Sequence, residues 1–349
     1  MKIEPDIKLD FSDVLIRPKR STLSSRSEVD LVRDFKFPHS PQTLSCVPII
    51  VANMDTTGTI EMLKACSEHK ILTCLHKYVD VNDLIKAVNE TPDIINYCFL
   101  STGIGDKDWE KVQNDIALLE KNSTPIRMIT VDVANGYQIS FANFCKKVRE
   151  KYPELIIMAG NTCTREIVEE LILNRSVDIC KIGIGGGSSC LTRKKTGCGY
   201  SQLSSILETQ DAGHGVNGHI CGDGGITCPG DLAKCFGAGA DFAMMGGVFS
   251  GHDESGGEMV EENGKKYKLF YGMSSKEAME RHHGGMAKHR SSEGKCVKIP
   301  YKGTVHDTIL DYLGGLRSTC TYVGARKIKH LPKCCTFVRV NNQINNIYR

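Results

Sequence analysis

Short apolar runs, each closed by glycine or polar residues, recur along the chain. They are "VPIIVANMD" (47–55), "ILTCLHK" (71–77), "NYCFLSTGIG" (96–105), "RMITVDVANG" (127–136), "LIIMAGN" (155–161), "ICKIGIGG" (179–186), "HICGDGG" (219–225) and "FAMMGG" (242–247). None alternates apolar with polar positions. Runs that are apolar on both faces predict parallel strands covered on both sides. Helical patterns of the usual length lie between them. "GTIEMLKACSEH" (58–69) and "REIVEELILN" (165–174) place apolar residues three and four apart, and "CPGDLAKCFGAGA" (228–240) carries proline near a helix start and glycine after its end. Eight such units predict an α/β fold, a TIM (β/α)8 barrel, with a doubly wound sheet as the alternative.

The polar residues that close the strands change the picture from fold to site. Asn53-Met54-Asp55, His76-Lys77, Ser101 to Gly103, Asp132 to Gly136, Gly160-Asn161, Gly185 onward, Asp223 to Gly225 and Gly246-Gly247 all follow strand ends. A barrel brings all of them to one face, where barrel active sites lie. Two segments break the rhythm: an N-terminal extension, residues 1–46, and a glycine- and charge-rich stretch of about 249–302 after the last strand. A connection that long reads as a functional, mobile flap. The chain is expected to be a single catalytic domain spanning 1–349.

Composition narrows the classes. The chain is 40% hydrophobic and 24% charged, with a net charge of +3 that is spread along it. Its longest basic run is "TRKKT" at 192–196, so no nucleic-acid partner is expected. No run of apolar residues is long enough to span a membrane, and "MKIEPDIKLDF" lacks the apolar region of a secretory signal. A cytosolic setting follows as the expectation. There the 16 cysteines stay reduced; they form no C-x-x-C, and most read as small buried hydrophobes.

The candidate chemistry sits on three strand ends. "CGDGGI" and "MMGGVF" close strands seven and eight, where barrels often bind phosphate through backbone N–H groups. Asp223, an anion itself, suits a ribose better than a phosphate. Gly183-x-Gly185-x-x-Ser188 is an incomplete dinucleotide fingerprint, and no phosphate-binding P-loop sequence exists. "HHGGMAKH" (282–289) lacks the zinc pattern and reads as a solvated helix face. Cys190, at the end of strand six, is flanked by glycines that cannot build a core. Arg193, Lys194 and Lys195 stand close by in sequence and would favour its thiolate, and Thr192 offers a hydroxyl two residues on.

These stretches, together with "LDFSDVLIRPKRSTLSSRSEVDL", "PIIVANMDTTGT", "VDVANGY", "TGCGYSQL", "DGGITCPGD", "KLFYGMSS", "IPYKG" and "LGGLRSTCTYVGA", closely resemble the GMP reductases, in the larger family that includes IMP dehydrogenases. The likeness spans nearly the whole chain. Strands two and three are separated only by "YVDVNDLIKAVNETPDII", which leaves no room for the dehydrogenases' regulatory repeats. The flap sequence "KHRSSEGK" lacks their Arg–Tyr pair.

The resemblance implies NADPH-dependent reductive deamination of GMP to IMP with release of ammonia, through a thioimidate on Cys190. Thr192 would relay a proton and Glu293 would be the acid/base. For GMP it implies Asp223, Gly224, Gly225, Gly246, Gly247, Gly272, Met273, Ser274 and Arg290, Ser291, Ser292, Glu293 and Gly294. For NADPH it implies Lys77, Asp132, Val133, Ala134, Ile184, Gly185, Met273, His289 and Arg290. Ser25, Arg26, Ser318, Thr319, Cys320 and Thr321 would reach the cofactor across a subunit contact, in a homotetramer. Lys77 and Arg26 would pair with the cofactor's extra phosphate. Carbonyls of Gly185, Gly187, Cys190 and Arg193 would hold K+. Family loops usually read like "GPGSVCTTR", where this chain has "GGGSSCLTR", so Gly186, Ser189 and Leu191 depart; His289 stands in place of a common tyrosine.

Overall fold

The computed structural model of the chain describes residues 3–285 and 291–341. Its centre is a closed parallel barrel. The strands are Thr43–Val51, Ile71–Cys74, Cys98–Thr102, Met128–Asp132, Ile156–Thr162, Ile179–Ile182, His219–Asp223 and Phe242–Met245, paired in sequence order. The eighth pairs with the first, Ala243 opposite Ile49 and Met245 opposite Val51, and closes the ring. All eight predicted strands are present, and the barrel, not the doubly wound sheet, is the fold.

The strands are apolar throughout because each has two buried faces. Ile50, Leu72, Phe99, Met128, Met158, Ile179, Cys221, Phe242 and Met244 fill the barrel interior. Their neighbours along the strands, among them Ile49, Val51, Ile129, Ile157 and Ile220, face the surrounding helices. The helix predicted at 58–69 runs Ile60–Ser67, with the Thr59 hydroxyl accepting from the Met62 amide at 3.1 Å. Those at 165–174 and 228–240 run Arg165–Arg175 and Pro229–Gly237.

One end of the barrel is sealed. A strand of the N-terminal extension, Arg33–Lys36, pairs antiparallel with the first barrel strand and lays Phe35 on Phe242, ring centroids 4.2 Å apart. Beneath it, the buried Asp241 gathers Arg33 at 2.6 Å and His214 at 2.7 Å. The extension also contributes Val14–Ile16, which pairs with Phe337–Arg339 near the C-terminus. Access is therefore left at the strands' C-terminal ends.

The stretch of about 249–302 departs from the long loop expected. Met259–Glu262, Lys265–Tyr271 and Cys296–Pro300 form a three-stranded antiparallel sheet, and a helix runs Lys276–His283. Asn263 and Gly264 turn the hairpin with φ of 52° and 72°, the backbone that a two-residue hairpin turn demands. At its base the buried Lys268 donates to the carbonyls of His252 (2.8 Å), Asp253 (3.2 Å) and Ser255 (2.6 Å), which ties the sheet to the end of the barrel.

Candidate active site

The sixth strand delivers the glycine-rich loop that carries Cys190. Gly183 has φ of 142°, and a Cβ there would lie 2.1 Å from the Asp223 carbonyl; at Gly185, φ 82°, it would lie 2.5 Å from Arg193 Cγ. Only glycine turns the chain this tightly. Gly186 is different: a Cβ there meets nothing nearer than 3.6 Å, so the space around this loop does not demand a glycine. The loop ends in the short helix Thr192–Thr196, with Cys190 half-buried just before it.

Three groups line up at that point. The Cys190 thiol lies 3.2 Å from Thr192 Oγ1, and Thr192 Oγ1 donates to Glu293 Oε2 at 2.7 Å. The backbone holds the line in place. The Leu191 amide donates to the Glu293 carbonyl at 2.6 Å, and the Lys295 amide to the Ser189 carbonyl at 3.0 Å. Cys190 and Gly294 thus form an antiparallel bridge between the loop and the flap. The basic neighbours do not contribute as the sequence suggested. Arg193 turns outward to Asp10 at 3.3 Å and to the Tyr200 carbonyl at 2.5 Å, and Lys194 and Lys195 are exposed.

A cavity of about 250 Å³ opens beside this line at the C-terminal end of the barrel. Of the residues expected around a nucleotide, Asp223, Gly224, Gly272, Met273, Ser274, Glu293 and Gly294 line it. Gly225 adjoins it, and Gly246 and Gly247 lie just beyond, beside Met54 Sδ and Ser188 Oγ. Ser292 bonds the Gly294 carbonyl at 2.8 Å, and its neighbour Ser291 is exposed. Of the residues expected around the cofactor, Asp132, Val133, Ala134, Ile184, Gly185 and Met273 line the same cavity. Gly185, Gly187 and Cys190 of the supposed cation loop line it too; Arg193 does not.

Other expected contacts lie elsewhere. Lys77 pairs with Asp108 at 3.0 Å, outside the cavity wall. The Ser25–Arg26 turn packs against the helix Val305–Val323, which carries Ser318 to Thr321, and none of these lines the cavity. Ser318, Thr319 and Thr321 turn their hydroxyls back onto carbonyls of that helix, and the Cys320 side chain is fully buried, so its thiol is not available to a ligand. His289 and Arg290 lie outside the described residues. A larger cavity, about 820 Å³, opens at the opposite end around Asn96, Arg127, Tyr152 and Pro153, far from the line of Cys190, Thr192 and Glu293.

Lys181 is the residue that sequence reasoning missed. It is 2% exposed, in the middle of the sixth strand, and its Nζ donates to Asp132 Oδ1 at 2.7 Å, to Asp223 Oδ2 at 3.1 Å and to Asn161 Oδ1. Asn161 in turn donates to Asp223 at 2.8 Å. Burial alone would lower the Lys181 ammonium, but Asp132 and Asp223 hold it well above the ordinary lysine value. One cation thus joins two carboxylates from different strands, Asp132 and Asp223. A single lysine inside the apolar run "DICKIG" was the available signal.

His282 overturns another reading. Of the face expected to be solvated, His282 packs inward: its Nε2 bonds Asp55 Oδ2, and its ring stacks on Tyr78 with centroids 3.6 Å apart, while residues 286–289 lie outside the described residues. Asp55 is buried and His76 half-buried beside it, and desolvation pulls His76 below the ordinary imidazole value despite the nearby Asp55.

A (β/α)8 barrel whose open end sets a thiol, a hydroxyl and a carboxylate in hydrogen-bonded series beside a polar cavity has the layout of a barrel enzyme's active site. The comparisons carry this further. Residues 8–345 match the model of the IMP dehydrogenase / GMP reductase domain. The chain is 54% identical to a GMP reductase of Caenorhabditis elegans (99% of this chain, 96% of that one) and 54% identical to GMP reductase 2 of Homo sapiens (99% and 98%). It is 52% identical to a GMP reductase of Aliivibrio salmonicida over 100% of this chain and 99% of that one. The chain belongs to the IMP dehydrogenase / GMP reductase family.

Proposed function

We propose that the protein reduces GMP to IMP: GMP, NADPH and a proton give IMP, NADP+ and ammonia. The observation that carries the reading is the Cys190–Thr192–Glu293 line, in a chain that matches proteins named GMP reductase over nearly its full length. GMP lies across the cavity with its ribose on Asp223 and its phosphate toward Gly224, Gly225, Gly246 and Gly247. Cys190 Sγ attacks carbon 2 of the guanine. The thiol proton passes over the Thr192 hydroxyl to Glu293 and returns to the exocyclic amine, a poor leaving group unless protonated, which departs as ammonia. The S–C2 thioimidate remains. Atoms balance: one thiol and one amine become one thioether carbon and ammonia.

The residues suit a nicotinamide beside this carbon. Val133, Ala134 and Ile184 present apolar surface along one wall of the cavity, and Gly185 leaves that wall without a side chain. Bound there, NADPH supplies the hydride that replaces sulfur at carbon 2. Glu293 takes up from solvent the proton of the overall equation, and Thr192 passes it to the released thiolate. Asp132, held by Lys181, and Lys77 border the cofactor's path. Ser25, Arg26, Ser318, Thr319 and Thr321 lie off the cavity and would reach a neighbouring subunit's cofactor in a homotetramer; the buried Cys320 thiol would not. K+ would sit on the carbonyls of Gly185, Gly187, Cys190 and Arg193; Gly185 lies against the Arg193 side chain and Gly187 against that of Cys190, which keeps these residues near one another. All sixteen cysteines are free, as suits a reducing cytosol, and among the described residues no helix is long and apolar enough to cross a membrane.

The test is turnover. Purified protein with GMP and NADPH should consume the cofactor and release IMP and ammonia in equal amounts. Reduction of NAD+ in the presence of IMP would assign the opposite reaction. Replacing K+ with Li+ should lower the rate if the cation loop is occupied, and light scattering should give four times the chain mass.

A further inference from the structure

Asp55 stands at the C-terminal end of the first barrel strand, 6% exposed and outside the catalytic line. Its two oxygens face two imidazoles from different parts of the chain. Oδ2 accepts from His282 Nε2, on the helix Lys276–His283 of the flap. Oδ1 faces His76 Nδ1, beyond the second strand, at 3.6 Å, and both of these atoms are buried without a hydrogen-bond partner among the described residues. Tyr78, from the same strand end, covers the His282 ring at an interplanar angle of 4°. The Asp55 amide also donates to Met273 Sδ at 3.3 Å, just before that helix.

The helix so held is the part of the flap on which the catalytic carboxylate rests. Ser275 caps it, with its hydroxyl accepting from the Ala278 amide at 3.2 Å. Gly294 lies against Ser275 so closely that a Cβ would come within 2.9 Å of the Ser275 amide nitrogen. Glu293, one residue earlier, reaches Thr192. A buried carboxylate bound to a half-buried imidazole is a directional contact, stiffer than the apolar packing of a surface helix.

We propose that Asp55 and His282 form a latch that positions Glu293: by fixing the flap helix to the barrel rim, they set Ser275, hence Gly294, hence the carboxylate opposite Thr192. Neither residue touches the reacting atoms. The proposal rests on the reading of Glu293 as acid/base given above, and the measurements below separate the two.

His282→Leu removes the donor at similar bulk, whereas His282→Gln keeps an amide that can donate to Asp55. The expected result is a kcat about ten- to a hundredfold lower in His282→Leu, as a misplaced catalytic group costs, with the GMP dissociation constant unchanged. His282→Gln should recover most of the loss. In a Glu293→Gln background His282→Leu should cost nothing more, because the latch acts through that carboxylate. Independently of turnover, amide exchange at Leu191 and Lys295, whose N–H groups bond across to and from the flap, should quicken in His282→Leu. Unchanged exchange, equal losses in the Leu and Gln variants, or losses that add to those of Glu293→Gln would each overturn the latch. Absence of GMP turnover in the unaltered protein would instead overturn the proposed reaction, and the exchange measurement would still decide the latch.

Discussion

The Thr192 hydroxyl donates to the Glu293 carboxylate at 2.7 Å across 101 positions of sequence, with the Cys190 thiol 3.2 Å behind it. A hydroxyl between a thiol and a carboxylate can pass a proton either way without moving. Glu293→Gln keeps the shape and one acceptor but removes the base. We expect GMP binding to persist and kcat to fall about 10²- to 10⁴-fold, the usual worth of general acid–base catalysis. Thr192→Val should fall in the same range, and the double variant should be little worse than either single one, because the two act as a unit. Steady-state kinetics with NADPH absorbance measure all three.

Lys181 makes a second prediction. Its ammonium holds Asp132 and Asp223 together in the cavity wall. Lys181→Met leaves two neighbouring carboxylates without their shared cation. Removing one partner of a buried charge cluster costs about 3–5 kcal/mol. We expect a lower thermal midpoint and weaker binding of both GMP and NADPH, where Asp223→Ala weakens GMP far more than NADPH. Calorimetric titration of each ligand separates the two outcomes.

The sealed end of the barrel gives a pH prediction. Burial would raise the Asp241 carboxyl, but bonds from His214 and His219 and the Arg33 charge hold it well below the usual carboxylate range. Its contribution is therefore present above the ordinary value of 3.8 and is lost as pH falls below that. His214 has the opposite sign: its bond to Asp241 raises it, so its contribution is complete below 6.5 and is lost as pH rises through the raised value. The gap in thermal midpoint between the unaltered protein and Asp241→Asn should be widest between those limits and shrink on either side. Thermal scans across the range check it.

Much of this was legible in the sequence, for a physical reason. Parallel strands covered on both faces must be continuously apolar, so all eight announced themselves, and the polar residues after them could lie only at the open rim. Cys190, Thr192 and Asp223 were visible because polar or reactive groups followed strands at that rim. Contacts between distant segments were not. Lys181 looked like one charge in an apolar run; only the register of strands four, six and seven reveals the two carboxylates around it. The basic run after Cys190 suggested a local field, whereas the helix Thr192–Thr196 points those side chains outward. The flap's strands are short and charged, so their pattern does not stand out from a loop, although Asn263-Gly264 in "EENGKK" carries the hairpin signal. The inward face of His282 depends on Asp55 and Tyr78, far away in sequence, and no local pattern encodes it.

The central claim is that Cys190 is the covalent nucleophile toward carbon 2 of GMP. Its most direct test is a rapid acid quench of the protein with GMP, alone and during turnover with NADPH, followed by mass analysis of the intact chain and its peptides. The account predicts an adduct of the nucleotide less ammonia on the peptide that holds Cys190, depleted when NADPH is in excess and absent in Cys190→Ala, which should also oxidise no NADPH. An adduct on another residue, or full GMP-dependent NADPH oxidation by Cys190→Ala, would contradict it.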